Sequence, residues 1–127
     1  MIKRLGDAEL EIMQIIWAYT EPMTSNEILS RLKRRQWQLS TLMTVLQRLV
    51  SKGFILCDRS MRSNLYSAII TESKYNASES KEFLGRLYGN SLRSFVASFC
   101  GTNDVSKEEL SELRSYLDGF TENEIAE

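Results

Sequence analysis

The sequence predicts a mainly α-helical chain with one small β-hairpin, and three observations carry that expectation. Apolar residues recur at helical spacing through residues 7–19, 24–35 and 40–52, and again beyond residue 73. Two short runs rich in strand formers, Phe54–Cys57 and Asn64–Ile69, flank a basic, serine-rich tip. Charge is unevenly divided: residues 1–70 hold ten Lys/Arg against six Asp/Glu, whereas residues 71–127 hold six against eleven. The patterning and the charge split together suggest two domains, residues 1–71 and 72–127.

The first helix is expected from Asp7, as its cap, to about Tyr19, with Leu10, Met13, Ile16 and Trp17 on one face. Thr20-Glu21-Pro22 ends it, since the residue before a proline resists the helical conformation. Thr24-Ser-Asn-Glu27 has the spacing of a capping box and opens a second helix. Ile28, Leu29 and Leu32 form its inner side, and Lys33-Arg34-Arg35 suit the negative end of its dipole.

The third helix is expected over about Ser40 to Lys52, with Gly53 as its stop. Leu42, Val45, Leu46, Leu49 and Val50 make a full core-facing stripe. The opposite side carries Ser40, Thr41, Thr44, Gln47, Arg48 and Ser51, with Met43 at the border. That face is short, polar and uncharged except for Arg48, the kind of surface that enters a major groove and reads base edges. Residues 31–62 hold eight basic residues and a single acid, Asp58, a footprint suited to phosphates. Three helices followed by a hairpin tipped by Arg59 and Arg62 make a winged helix-turn-helix.

Beyond Ser73 a helix is expected to run to Tyr88, interrupted by Gly89, then another from Asn90 to Cys100. Ser106-Lys-Glu-Glu109 is a second capping box and opens a last helix. Phe83, Leu87, Leu92, Phe95, Val96, Phe99, Leu110, Leu113 and Leu117 line the inner sides of these helices. Three short amphipathic helices make little core alone, so either a second copy of the chain covers them or they fold back onto the first domain. A helical dimerisation domain is the reading adopted, because a helix-turn-helix usually meets two half-sites.

Other function classes find little support. The 127 residues include no histidine, which removes the commonest general base and the commonest metal ligand. No nucleophile–base pair or phosphate loop is present in the pattern, so no enzyme, catalytic residue, metal site or cofactor is expected. No apolar run reaches membrane-spanning length, and no export signal follows Met1, which points to the cytoplasm. Cys57 and Cys100 lie far apart and read as reduced, partly buried thiols.

The residues that define these elements also resemble a family. Leu5-Gly-Asp-Ala-Glu-Leu-Glu-Ile-Met-Gln-Ile-Ile-Trp17 is similar to the opening helix of the BlaI/MecI/CopY repressors. Trp37, Ser40-Thr41, Thr44, Arg48-Leu49 and Lys52-Gly53-Phe54 match that family's recognition-helix signature. The resemblance covers nearly the whole chain. It implies a homodimeric bacterial transcriptional repressor on a palindromic double-stranded DNA operator. By that implication Ser40, Thr41 and Thr44 face bases or nearby phosphates, and Trp37, Arg48, Arg59 and Arg62 contact the backbone; Gln47 shares the outward face, and Met43, where the chain departs from the family, suits apolar contact with a thymine methyl. Thr24 and Ser25, at the start of the second helix, are further phosphate contacts. Trp37 equally fits a core anchor between the second and third helices.

Three departures qualify the resemblance. Position 43, often long and polar in the family, is methionine. The copper-responsive members end in a Cys-x-Cys pair, whereas this chain ends Glu122-Asn-Glu-Ile-Ala-Glu127. The β-lactam-responsive members are cleaved by an inactivating protease at an Asn-Phe bond; the corresponding pair here is Ser98-Phe99, which also fits simple dimer core. A winged-helix protein–protein module and a small-molecule-sensing regulator are the alternative functions.

Overall fold

The computed structural model describes residues 2–32, 36–102 and 104–120. The basic stretch Lys33-Arg34-Arg35 and the terminal Glu122–Glu127 lie outside the described residues. The elements run α1 (Asp7–Ala18), α2 (Ser25–Arg31), α3 (Leu39–Ser51), β1 (Ile55–Asp58), β2 (Leu65–Ala68), α4 (Glu72–Tyr88), α5 (Leu92–Thr102) and α6 (Lys107–Asp118). The mainly helical order with one hairpin is the one the sequence predicts. The chain divides into two compact units, Met1–Glu82 and Phe83–Glu127, the division falling within α4.

In the first unit, α1, α2 and α3 close on one apolar core. Ile12, Met13 and Ile16 of α1 meet Ile28 of α2 and Leu42, Val45, Leu46 and Leu49 of α3, all buried. Each such side chain contributes roughly 1.5–3 kcal/mol by leaving water. The inner face of α1 is rotated from expectation: Ile12 is fully enclosed, while Leu10 and Trp17 are only partly buried at the margin. Trp17 sits there because its indole N–H donates to the carbonyl of Ile70 at 2.9 Å. Val50, at the edge of the α3 stripe, is exposed rather than buried.

Caps set the helix ends. The cap of α1 is Gly6, not Asp7, because the Glu9 side chain falls three residues later and accepts the Gly6 N–H at 2.8 Å. At α2 the predicted reciprocal box is present: Thr24 Oγ1 accepts the Glu27 N–H at 3.2 Å and Glu27 Oε1 accepts the Thr24 N–H at 2.8 Å. Helix α3 ends in a Schellman arrangement. The Gly53 N–H donates to Val50 O and the Phe54 N–H to Leu49 O, each at 3.0 Å, with Gly53 at φ +82°. That left-handed step suits glycine and drops Phe54 into the core.

Strands β1 and β2 pair antiparallel, Ile55 opposite Ala68 and Asp58 opposite Leu65. A further pairing escaped the sequence reading. Met23, in the α1–α2 connection, bridges Tyr66 through two backbone hydrogen bonds of 3.0 and 2.8 Å. Tyr75 of α4 completes this core: its hydroxyl accepts the buried Leu5 N–H at 2.9 Å and its ring packs edge-on against Phe54.

In the second unit the α4–α5 turn uses two left-handed residues, Gly89 and Asn90. Ser91 then caps α5 by accepting the Ser94 N–H. Phe83, Tyr88, Phe95 and Phe99 form a chain of ring contacts with centroids 5.5–6.0 Å apart. Ser106 Oγ accepts the Glu109 N–H at 3.1 Å, as the predicted second box requires. Cys100 is exposed rather than partly buried, because no described residue of this unit is buried within the single chain.

Candidate nucleic-acid interface

With Leu42, Val45, Leu46 and Leu49 fixed in the core, helical geometry turns Ser40, Thr41, Thr44, Gln47 and Arg48 outward, and all five are exposed. Met43 flanks them, 38 % exposed. The Thr44 hydroxyl donates to the Ser40 carbonyl at 3.1 Å. Its proton is thereby committed to the helix, and what it offers outward is a methyl group and oxygen lone pairs. Arg48 is exposed and forms no ion pair with a described residue.

The wing lies beside this face. Met43, Gln47 and Val50 of α3 line a crevice of about 80 Å³ with Cys57, Arg59, Asn64 and Tyr66 of the hairpin. Burial pushes the Tyr66 hydroxyl above its usual range, and its hydrogen bond with the Cys57 thiol adds to the effect. At the tip, Asp58 Oδ1 accepts both the Ser60 N–H (2.9 Å) and the Ser60 hydroxyl (2.7 Å). Those two bonds favour the ionised form and hold the Asp58 carboxyl below its usual range. The bend they close leaves Arg59 and Arg62 exposed on either side of Met61.

The remaining sequence-predicted contacts differ in setting. Thr24 and Ser25 are half-buried at the start of α2, where the capping box occupies the Thr24 N–H. The Thr24 Oγ1 accepts from Glu27, which leaves the hydroxyl proton for another acceptor. Trp37 is half-buried and its ring packs against the core.

One member of the basic stretch is not part of the face. Lys52 Nζ donates to Glu9 Oε1 at 2.7 Å, and Glu9 is only 4 % exposed. Burial alone pushes the Glu9 carboxyl up. The Lys52 ammonium, the Gly6 N–H and the nearby Arg48 charge outweigh it and hold the group below its ordinary value. The signal for Glu9 was present as a glutamate three residues after Gly6; its pairing with Lys52 lies 43 residues away and leaves no local mark.

In the second unit the predicted dimerisation residues are uncovered within the single chain, and of them Phe83, Phe95 and Phe99 are linked by ring contacts. Leu92 is 60 % exposed, Leu117 52 % and Leu113 42 %, with Leu87, Phe99 and Leu110 also exposed. Phe83, Phe95 and Val96 are half-buried. Ser98 and Phe99 lie within the helical span of α5, the Tyr88 hydroxyl 3.4 Å from Ser98 Oγ. No helix among the described residues is long and apolar enough to cross a membrane.

Comparison with known proteins identifies the family and the fold. The profile of the penicillinase repressor family matches residues 5–119. Over 118 residues the chain is 36 % identical to the penicillinase repressor of Bacillus licheniformis, covering 92 % of this chain and 91 % of that protein. It is 32 % identical over 113 residues to the methicillin resistance regulatory protein MecI of Mammaliicoccus sciuri, covering 89 % and 92 %. The solution structure of the DNA binding domain of the repressor BlaI superposes with a TM-score of 0.52 at 36 % identity, over 59 % of this chain and 92 % of that domain. The Bacillus licheniformis BlaI monomer in complex with the blaP half-operator gives 0.50 at the same identity and coverage. Matched over residues 5–119 and by a DNA binding domain structure over 59 % of its length, this chain belongs to the penicillinase repressor family.

Proposed function

We propose that the chain is a homodimeric transcriptional repressor that binds a palindromic operator in the cytoplasm. The observation that carries the reading is the outward face of α3: polar, exposed, bearing Arg48 as its one cation, on a helix whose other side is locked in the core. Helix α3 enters the major groove with Ser40, Thr41, Met43, Thr44 and Gln47 toward the bases. Arg48, Arg59 and Arg62 take phosphates, joined by the hydroxyls of Thr24 and Ser25 at the start of α2. Trp37 anchors the turn that leads into α3.

The exposed apolar residues of α4, α5 and α6 support the dimer, since a second copy of the same surface would bury them. Residues 1–71 then act as the DNA-binding domain and residues 72–127 as the dimerisation domain. Release by an inactivating protease at Ser98-Phe99 belongs to the same reading. That bond lies inside α5, so cleavage requires the helix to open locally.

An electrophoretic shift with DNA from upstream of the chain's own coding sequence tests the proposal. A discrete complex is expected, weakened by Thr44→Ala. Failure to shift any upstream fragment, combined with tight binding to another protein, would replace it with a winged-helix protein–protein module.

A further inference from the structure

Resting on the repressor reading, we infer that Met43 and Gln47 set the base preference of α3, and that they select a thymine methyl and a neighbouring adenine. The two residues are one helical turn apart and line the same crevice against the wing, with Val50 and Cys57 beside them. This wing-side flank of the helix is therefore apolar apart from one amide. Arg48 lies about 140° around the helix from Met43 at 100° per residue, on the other flank.

The commonest specific contact in a major groove is a cation on guanine O6 and N7. The wing-side flank of α3 has no cation with which to make it; Arg59, which lines the crevice beside it, belongs to the hairpin. Thr44, about 100° around the helix from Met43 and toward Arg48, has its proton committed to Ser40, so it donates to no guanine either. What the flank presents is a thioether and a carboxamide. A thioether suits the C5-methyl of thymine, and a carboxamide matches the N6 donor and N7 acceptor of adenine. Met43 is 38 % exposed, enough to meet a base edge while its remaining surface rests against the wing side.

The test uses the full chain and duplexes it selects from a random-sequence pool, each thymine then replaced singly by deoxyuridine, which removes only the methyl. One position per half-site is expected to lose about fourfold in affinity, the effect of one methyl-sized group. Met43→Ala should bind the thymine and uracil duplexes alike, and Met43→Leu should keep the preference. Gln47→Ala should lose at least about fivefold of the discrimination for adenine at the neighbouring position. Selection repeated with Met43→Lys should enrich guanine where thymine stood. If the parent protein binds every uracil duplex as tightly as the thymine duplex, the inference is wrong while the repressor reading stands. If no duplex is enriched at all, the repressor reading falls and the inference with it.

Discussion

Glu9 and Lys52 join the start of α1 to the end of α3 through a 2.7 Å hydrogen bond between opposite charges, and the same Glu9 oxygen caps α1 at Gly6. One carboxylate thus fixes two helix ends, and α3 is the helix offered to DNA. Glu9→Gln removes the charge and leaves Lys52, partly shielded from solvent, without its counterion. A loss of about 1–3 kcal/mol in urea unfolding is expected. The pH dependence has a definite sign. A carboxyl held below its ordinary 4.5 in the folded chain adds stability that is complete above that value. The contribution is lost as pH falls through the lower folded value. Unfolding curves taken from neutral to acid pH should show that loss in the parent and a shallower one in Glu9→Gln.

Lys52 separates stability from binding. Because its ammonium is engaged by Glu9, Lys52→Met should lower stability yet leave the salt dependence of DNA binding unchanged. Arg59→Ala and Arg62→Ala should behave the other way. Each should reduce the slope of log affinity against log salt by about one, with little change in unfolding.

Gly53 is held at φ +82°, with no atom within 4 Å of where a Cβ would stand. Gly53→Ala therefore meets a conformational cost and no collision. Thermal unfolding should register a loss of about 1–2 kcal/mol.

The second unit has apolar residues and, among the described residues, no buried ones, so its stability is expected to depend on association. Leu113→Asp paired with Leu117→Asp should shift sedimentation from dimer to monomer. Operator affinity should fall with it, because two linked half-site contacts become one. A double variant that remains dimeric would remove these residues from the interface.

Much of this was legible locally. The Thr24–Glu27 box, the Ser106 cap, the α3 stripe and the hairpin depend on neighbours within a turn or a strand, and those patterns survive in a linear sequence. What was missed depends on partners brought together by folding. The Met23–Tyr66 bridge, the Trp17–Ile70 bond, the Leu5–Tyr75 bond and the Glu9–Lys52 pair each link residues more than forty positions apart. The outward face of α3 could be read because its inner face was so regular. Charge counting was less faithful, since Lys52 belongs to the basic stretch by sequence but is half-buried and paired with Glu9 by structure. The shift of the α1 cap from Asp7 to Gly6 has the same origin: the position of Glu9 decided it, and Glu9 is held by Lys52.

The central claim, that the outward face of α3 holds operator DNA, is tested most directly by titrating a labelled upstream duplex with the parent chain and with Arg48→Ala as salt is raised. The account predicts tight parental binding that weakens steeply with salt, and an Arg48→Ala variant that is about 1–3 kcal/mol weaker with a shallower slope. Equal affinity and equal salt slope for the two proteins would contradict it.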